Sequence, residues 1–227
     1  MPSADGAAPL GERVRQAGVG EQNGPGDRPG AEEERGTMVR TAGAVQALLF
    51  DLDGTLVDTR EANYLAYRDA FAESGHELTQ ATFATTWGRD SRDFIPDLLP
   101  DIGQRSVDTI REAKSRLYAQ QLHRTTANDA LIAFLRLMAP HHRTALVSTA
   151  KSGNGRQILD VHGLTPLFDV VIWGDDVGRS KPDPEGYLRA LEMLGADPAS
   201  SLAFEDSETG RQAALAAGLP VLQVPHF

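Results

Sequence analysis

An unbroken apolar run that ends in two carboxylates constrains the fold of this chain more than any other feature. The run from Ala47 to Phe50 is followed directly by Asp51-Leu52-Asp53-Gly54-Thr55. Such a run is typical of a strand that is buried on both faces of a parallel sheet. Because unpaired carboxylates are costly to bury, we expect Asp51 and Asp53 at the carboxyl end of this strand, where α/β proteins bind ligands. The alternation of side chains along a strand points both carboxylates in the same direction.

The composition excludes several classes of function. The chain has 227 residues and no cysteine, which rules out disulfides, zinc–thiolate sites and a cysteine nucleophile. Its net charge of −10 argues against a nucleic-acid partner, and no stretch is apolar over the length of a membrane-spanning helix. We therefore expect a cytoplasmic protein without a nucleic-acid or membrane partner. The sequence does not indicate the oligomeric state.

Apolar periodicity divides the chain into three parts. Residues 1–43 contain few large hydrophobic side chains and are predicted to form a disordered N-terminal extension. Residues 59–140 are predicted to form a helical cap, with helices over 60–71, 79–86, 92–99, 105–122 and 129–138. Residues 44–58 and 141–227 alternate strands with helices, which predicts parallel strands joined by right-handed crossovers. The predicted fold class is thus α/β, a Rossmann-like parallel sheet core with an inserted α-helical cap.

Three later segments of the predicted core are each followed by polar side chains. These side chains are Ser148-Thr149, Lys181 and Glu205-Asp206. Taken singly, each has an ordinary explanation as a turn residue, a solvated loop lysine, or an acid pair at a helix N-terminus. The carboxyl ends of parallel strands meet at one edge of the sheet, so we expect these side chains to lie close to Asp51 and Asp53.

Four segments in this order support a resemblance to a known family. They are Phe50-Asp51-Leu52-Asp53-Gly54-Thr55-Leu56-Val57-Asp58, Leu146-Val147-Ser148-Thr149, Ser180-Lys181-Pro182-Asp183-Pro184 and Phe204-Glu205-Asp206-Ser207. With them, the chain resembles a haloacid dehalogenase-superfamily phosphatase that carries a helical cap after its first motif. The resemblance covers roughly residues 45–224.

The resemblance implies a catalytic role for each of four residues. Asp51 is expected to be the nucleophile that forms an aspartyl-phosphate. Asp53 is expected to protonate the leaving oxygen and then to activate water. Ser148 is expected to donate to a phosphate oxygen, and Lys181 to stabilise the phosphorylated aspartate.

The resemblance also implies a metal site. The expected ion is Mg²⁺, held by Asp51, the backbone carbonyl of Asp53, and Asp206, with Glu205 beside it. Oxygen ligands of this kind suit Mg²⁺.

Substrate selection is assigned mainly to the cap. Arg89 lies in a glycine-containing loop and is expected to reach a phosphate or a polyol, although a solvated arginine fits the sequence equally well. Lys114 resembles a cap lysine of sugar-phosphate mutases in this family, although a lysine on a helix is more often solvated. Ser148 and Thr149 are expected to contact the substrate from the core.

These residues predict an Mg²⁺-dependent phosphatase acting on a small phosphorylated metabolite, a phosphomonoester. The alternative enzyme is a phosphomutase of the β-phosphoglucomutase type, which uses the same residues. A non-catalytic binding protein on the same fold is a third alternative. One departure from the family is that the chain reaches Phe227 directly after its fifth predicted core strand, so we expect a sheet edge that is trimmed or covered.

Overall fold

The sheet of this protein is built from five parallel strands. The computed structural model describes residues 45–227, and the predicted disordered extension, residues 1–43, lies outside the described residues. In chain order the strands are β1 (Ala47–Phe50), β2 (Val57–Asp58), β3 (Thr126–Ala127), β4 (Arg143–Val147), β5 (Val170–Ile172), β6 (Ser201–Glu205) and β7 (Val221–Gln223). The sheet order is β5-β4-β1-β6-β7, and β2 and β3 form a separate antiparallel pair.

The strand β1 lies at the centre of the sheet because both of its faces are apolar. All four of its residues are buried, and Phe50 lies in register with Leu146 of β4 and Phe204 of β6. The rings of Phe50 and Phe204 stack with their centroids 4.5 Å apart. Ala47 and Leu49 pack into the core on the opposite face. The predicted α/β fold class is confirmed.

Eight α-helices accompany the strands of residues 45–227. They are α1 (Arg60–Glu73), α2 (Gln80–Ala84), α3 (Ser91–Leu98), α4 (Gln104–Tyr118), α5 (Asp129–Met138), α6 (Ser152–Val161), α7 (Glu185–Leu194) and α8 (Glu208–Ala216). The helix predicted over 105–122 ends at Tyr118, and a 3-10 helix, Ala119–Arg124, follows it. In this part of the chain, no helix combines the length and the apolar character needed to cross a membrane.

The insertion leaves and re-enters the core at one place. The pair β2–β3 holds the two crossing segments together, and Asn128 donates its backbone N–H to Leu56 O at 2.9 Å. The helix α5 follows this pair and buries Ile132 and Leu135 in the same apolar cluster as Phe50. We therefore propose that the cap consists of α1 to α4, and that the core resumes near Thr126, earlier than the division at 59–140 drawn from the sequence.

Candidate active site

The two motif carboxylates lie where β1 leaves the sheet. The backbone N–H of Asp51 still donates to Phe204 O at 3.0 Å, and the chain then turns at Gly54, which has a φ of +92°. This φ favours glycine. A Cβ atom at Gly54 would also lie 2.2 Å from Oδ2 of Asp206, so the turn packs directly against that carboxylate. The sharp turn therefore places Asp51 and Asp53 at the open edge of the sheet.

Lys181 is the buried cation of the site. Its Nζ donates to Oδ1 of Asp51 at 2.7 Å, to Oε1 of Glu205 at 2.6 Å and to the backbone oxygen of Val147 at 2.8 Å. Burial lowers the pKa of Lys181, but the two carboxylates outweigh it and raise the pKa above its ordinary value. The lysine is therefore charged, and all three of its N–H donors have partners.

The carboxylates around this lysine carry more negative charge than one lysine can balance. Burial raises the pKa of Asp51 to about 6 and that of Glu205 to about 7, although Lys181 opposes both shifts. Oε1 of Glu205 also accepts a hydrogen bond from the buried hydroxyl of Tyr187. The residual negative charge favours a further cation at this site.

The residues present fit such a cation. One carboxylate oxygen from each of Asp51, Glu205 and Asp206 lies within 4.8 Å of the others. In addition, Oδ1 of Asp206 is buried without a hydrogen-bond partner among the described residues. An unsatisfied buried oxygen is costly unless it binds a ligand. Oε1 of Glu205 is occupied by the lysine and the tyrosine, so direct ligation by Glu205 stays a prediction.

The carboxylate of Asp53 is turned toward the start of the cap. Its Oδ1 accepts hydrogen bonds from the hydroxyl of Thr59 and, at 3.3 Å, from Nδ2 of Asn63. Its Oδ2 accepts from Oγ of Ser148 at 3.3 Å, and this serine is buried. The hydroxyl predicted to contact phosphate thus lies next to the carboxylate predicted to move protons.

A cavity of about 100 Å³ opens above these groups. Lys114 lines it from α4 with only 8% of its surface exposed, and its Nζ lies 4.0 Å from the ring centroid of Tyr118 and 5.1 Å from that of Tyr67. Within residues 45–227 no carboxylate is close enough to pair with it. Burial lowers the pKa of Lys114 to about 8. The alternative that Lys114 is a solvated surface lysine does not fit this burial, and its predicted contact with the substrate stays a prediction.

Of the other three predicted substrate contacts, Thr149 and Arg89 line the cavity, whereas Ser148 is not among its lining residues. Thr149 contributes from the loop after β4, and Arg89 from the loop before α3. The guanidinium of Arg89 pairs with the exposed carboxylate of Asp97. Their roles in substrate binding stay predictions.

The cap is fastened to the loop that carries Lys181. Oδ2 of Asp90, at the start of α3, accepts from Oγ of Ser180 at 2.6 Å and from the guanidinium of Arg92 at 2.7 Å. The same guanidinium donates to the backbone oxygen of Gly174 at 3.2 Å. Burial raises the pKa of Asp90, but these hydrogen bonds outweigh it and hold the pKa below its ordinary value. The structure is therefore closed over the cavity.

Several contacts of the site were not predicted from the sequence, namely those of Thr59, Asn63, Tyr187, Arg60 and Trp87. Thr59 and Asn63 could have been found, because they lie just after the first motif and four positions apart at the start of a helix. Arg60 lies in the same segment, but nothing in its local sequence indicates a contact with Asp206, 146 positions away. Tyr187 and Trp87 come from other segments and carry no local signal for their contacts. They reach the site only because whole elements pack together.

Comparison with known proteins identifies the family. Residues 48–224 match the family described as haloacid dehalogenase-like hydrolase. The chain belongs to this family. The predicted family and the prediction that the chain is a hydrolase are confirmed.

Individual relatives align over most of their length. The chain is 29% identical over 180 residues to the phosphorylated carbohydrates phosphatase of Thermotoga maritima, covering 77% of this chain and 82% of that protein. It is 32% identical over 203 residues to CbbY of Rhodobacter capsulatus, covering 80% and 86%. The crystal structure of CbbY from Rhodobacter sphaeroides in complex with phosphate superposes with a TM-score of 0.74 at 26% identity, covering 81% of this chain and 87% of that chain.

Proposed function

We propose that this hydrolase is an Mg²⁺-dependent phosphatase that acts on a small phosphorylated sugar or a related metabolite. The observation that carries the proposal is the pair Asp51 and Asp53 at the end of β1, with the Lys181 ammonium 2.7 Å from Oδ1 of Asp51. A buried carboxylate held by a lysine beneath a closed cavity suits nucleophilic attack on phosphorus. The name of the Thermotoga relative, a phosphatase of phosphorylated carbohydrates, supports the substrate class.

In the proposed reaction each carboxylate has a separate task. Asp51 attacks phosphorus, and the bond to the leaving oxygen breaks as Asp53 gives that oxygen a proton. Water then attacks the aspartyl-phosphate, and Asp53 takes its proton as inorganic phosphate leaves. The hydrogen bonds of Asp53 to Thr59 and Asn63 orient it between these steps. Lys181 balances the negative charge of the Asp51 side chain in both steps.

The proposed metal is Mg²⁺, held by Asp51, the backbone carbonyl of Asp53, and Asp206, with Glu205 beside them. The buried, unpartnered Oδ1 of Asp206 and the excess of carboxylates over buried lysine support this assignment. When bound, the ion supplies positive charge that offsets the charge of the transferred phosphoryl group. The cytoplasmic location drawn from the sequence stays a prediction.

Polar groups in the cavity favour a substrate rich in oxygen atoms. The hydroxyl of Tyr118 is buried without a hydrogen-bond partner among residues 45–227, and the ammonium of Lys114 has no anionic partner there. Both lie on α4 and line the cavity that Asp51 and Asp53 also line. A phosphorylated sugar would supply hydroxyl or phosphate oxygens to both groups. We therefore propose that these two residues contact the substrate.

Purified protein is expected to hydrolyse p-nitrophenyl phosphate with added Mg²⁺ and to lose this activity when EDTA removes the metal. Restoring Mg²⁺ in excess is expected to restore the rate. A panel of phosphorylated metabolites, followed by phosphate release, would then rank substrates, with sugar phosphates expected at the top. The absence of Mg²⁺-dependent hydrolysis across the panel would contradict the proposed function.

The phosphomutase alternative calls for a separate measurement. Lys114 favours it, since the residue resembles a lysine of sugar-phosphate mutases and is buried in the cavity. A hexose 1-phosphate supplied with a catalytic amount of its bisphosphate would be converted to the 6-phosphate by a mutase. Release of inorganic phosphate without that isomer is the expected result for a phosphatase.

The Lys114→Met variant is expected to raise the KM for the best sugar phosphate by about 10- to 100-fold, because a charged hydrogen bond to the substrate is lost. Its effect on p-nitrophenyl phosphate is expected to be much smaller. The pKa of Lys114 is lowered to about 8, so the ammonium is present below that pH and is lost above it. The KM of the unmutated protein should therefore rise above about pH 8.

KM measured against pH for both proteins checks this, and Arg116→Met is the matched control on the same helix. Arg116 is exposed and pairs with Glu73 away from the cavity. If the KM of Lys114→Met depends on pH as strongly as the KM of the unmutated protein, Lys114 is not the titrating contact.

A further inference from the structure

Two residues of the cap contact Asp206, a predicted metal ligand, directly. The indole N–H of Trp87, in the loop after α2, donates to Oδ2 of Asp206 at 3.0 Å. The guanidinium of Arg60 donates to the same oxygen at 3.2 Å and lies 4.9 Å from the centre of the Trp87 ring. Asp206 belongs to the core, so this oxygen joins the two parts of the protein.

These contacts fix which oxygen of Asp206 is free. Oδ2 has two donors, whereas Oδ1 is buried without a partner in the part of the chain that the structure describes. The side chain is only 4% exposed, and a Cβ atom at Gly54 would lie 2.2 Å from Oδ2 and 3.2 Å from the Trp87 ring. Because the carboxylate is confined on all these sides, it has little room to rotate. Trp87 therefore helps to hold the Asp206 carboxylate beside those of Asp51 and Glu205, with Oδ1 left free of hydrogen bonds.

We propose that Trp87 is a positioning residue for the metal site and that it couples closure of the cap to metal binding. The proposal rests on the metal-dependent function proposed above. Carboxylates that ligate metals commonly accept a hydrogen bond on their second oxygen, and losing that bond commonly weakens metal binding. Since coupling is reciprocal, metal bound at Asp206 stabilises the Trp87 contact and with it the closed cap.

The indole is the group to test, although Arg60 shares the same oxygen. The charge of Arg60 repels a nearby cation, so its removal would combine two opposing effects on metal affinity. The indole is neutral, and Trp87→Phe removes its N–H while keeping an aromatic ring for Arg60 to stack on. The change in metal affinity then reports the hydrogen bond to Asp206.

Metal affinity is measured without substrate by titrating each protein with Mn²⁺ and following the free ion by electron paramagnetic resonance, with Mg²⁺ as competitor. Trp87→Phe is expected to bind the metal about 10-fold more weakly. The matched control is Thr209→Val. Its hydroxyl donates to Gly88 O at 3.0 Å, so it joins the core to the same cap loop without contacting Asp206. The control is expected to bind the metal as tightly as the unmutated protein.

Tryptophan fluorescence provides a second measurement of metal binding. Trp87 and Trp173 are the only tryptophans, and Mg²⁺ is expected to change the fluorescence of the unmutated protein over the same concentration range as Mn²⁺ binding. The change should be absent from Trp87→Phe. Equal metal affinities for Trp87→Phe and the unmutated protein, or an equal loss in Thr209→Val, would overturn the inference. Failure of the unmutated protein to bind either metal would instead overturn the proposed function.

Discussion

Replacing Asp51 by asparagine is expected to lower phosphomonoester hydrolysis by about 10⁴-fold or more, because the side chain keeps its shape and loses its nucleophilic charge. The fold should persist, since Lys181 keeps Glu205 and the backbone oxygen of Val147 as partners. Initial rates with p-nitrophenyl phosphate, alongside thermal unfolding, would separate loss of chemistry from loss of structure. Acid quenching followed by mass spectrometry should detect a phosphorylated aspartate only in the protein that retains Asp51.

A surface aspartate provides the matched control. Asp69 pairs with its neighbour Arg68 on the outside of α1, and the pair is well exposed. Exposed pairs of this kind contribute little to stability, so Asp69→Asn is expected to leave both the rate and the unfolding temperature nearly unchanged. Substantial hydrolysis by Asp51→Asn would contradict the role assigned to Asp51.

Replacing Lys181 by methionine is expected to reduce the free energy of unfolding by about 3–5 kcal/mol as well as to abolish activity. The lysine is the only cation within hydrogen-bond distance of Asp51 and Glu205 in residues 45–227, and both carboxylates are buried. Its loss leaves two uncompensated charges that repel each other. Chemical denaturation followed by circular dichroism measures the effect.

Two further variants locate the origin of that loss. In Lys181→Met with Glu205→Gln, one of the two repelling charges is gone and the amide still accepts from Tyr187, so part of the stability should return while activity stays absent. Lys151→Met changes a lysine in the wall of the same cavity that has no buried ion pair within residues 45–227. Its free energy of unfolding is expected to change by about 0.5 kcal/mol or less. An equal loss in both lysine variants would show that the buried pairs of Lys181 do not cause the effect.

The site could be predicted from the sequence where a functional side chain lies directly after the strand that positions it. Asp51, Ser148 and Asp206 each follow an apolar strand within one or two residues, and the sheet brings such strand ends together. For that reason the α/β core and the grouping of these side chains could be predicted. The fold class followed from the same alternation of strands and helices.

What could not be predicted depends on packing between distant segments. Trp87 and Arg60 meet Asp206 across 119 and 146 positions of the chain, and no sequence period connects them. The burial of Lys114 likewise depends on Tyr67, which lies on a different helix. The end of α4 was also placed wrongly, at residue 122 instead of Tyr118. Apolar periodicity identifies the buried face of a helix but gives little information on where the helix ends.

The central position of β1 also has a consequence for how the protein is made. Ala47 pairs with Arg143 on one side and with Ser201 on the other, so the first strand of the sheet to be synthesised waits longest for its neighbours. Sheets built from such distant pairings fold slowly, and a strand waiting for its partners exposes apolar surface that promotes aggregation. The nascent chain is therefore inactive until β6 has left the ribosome. Until then the apolar side chains of β1 have no partners in the sheet, and aggregation competes with folding.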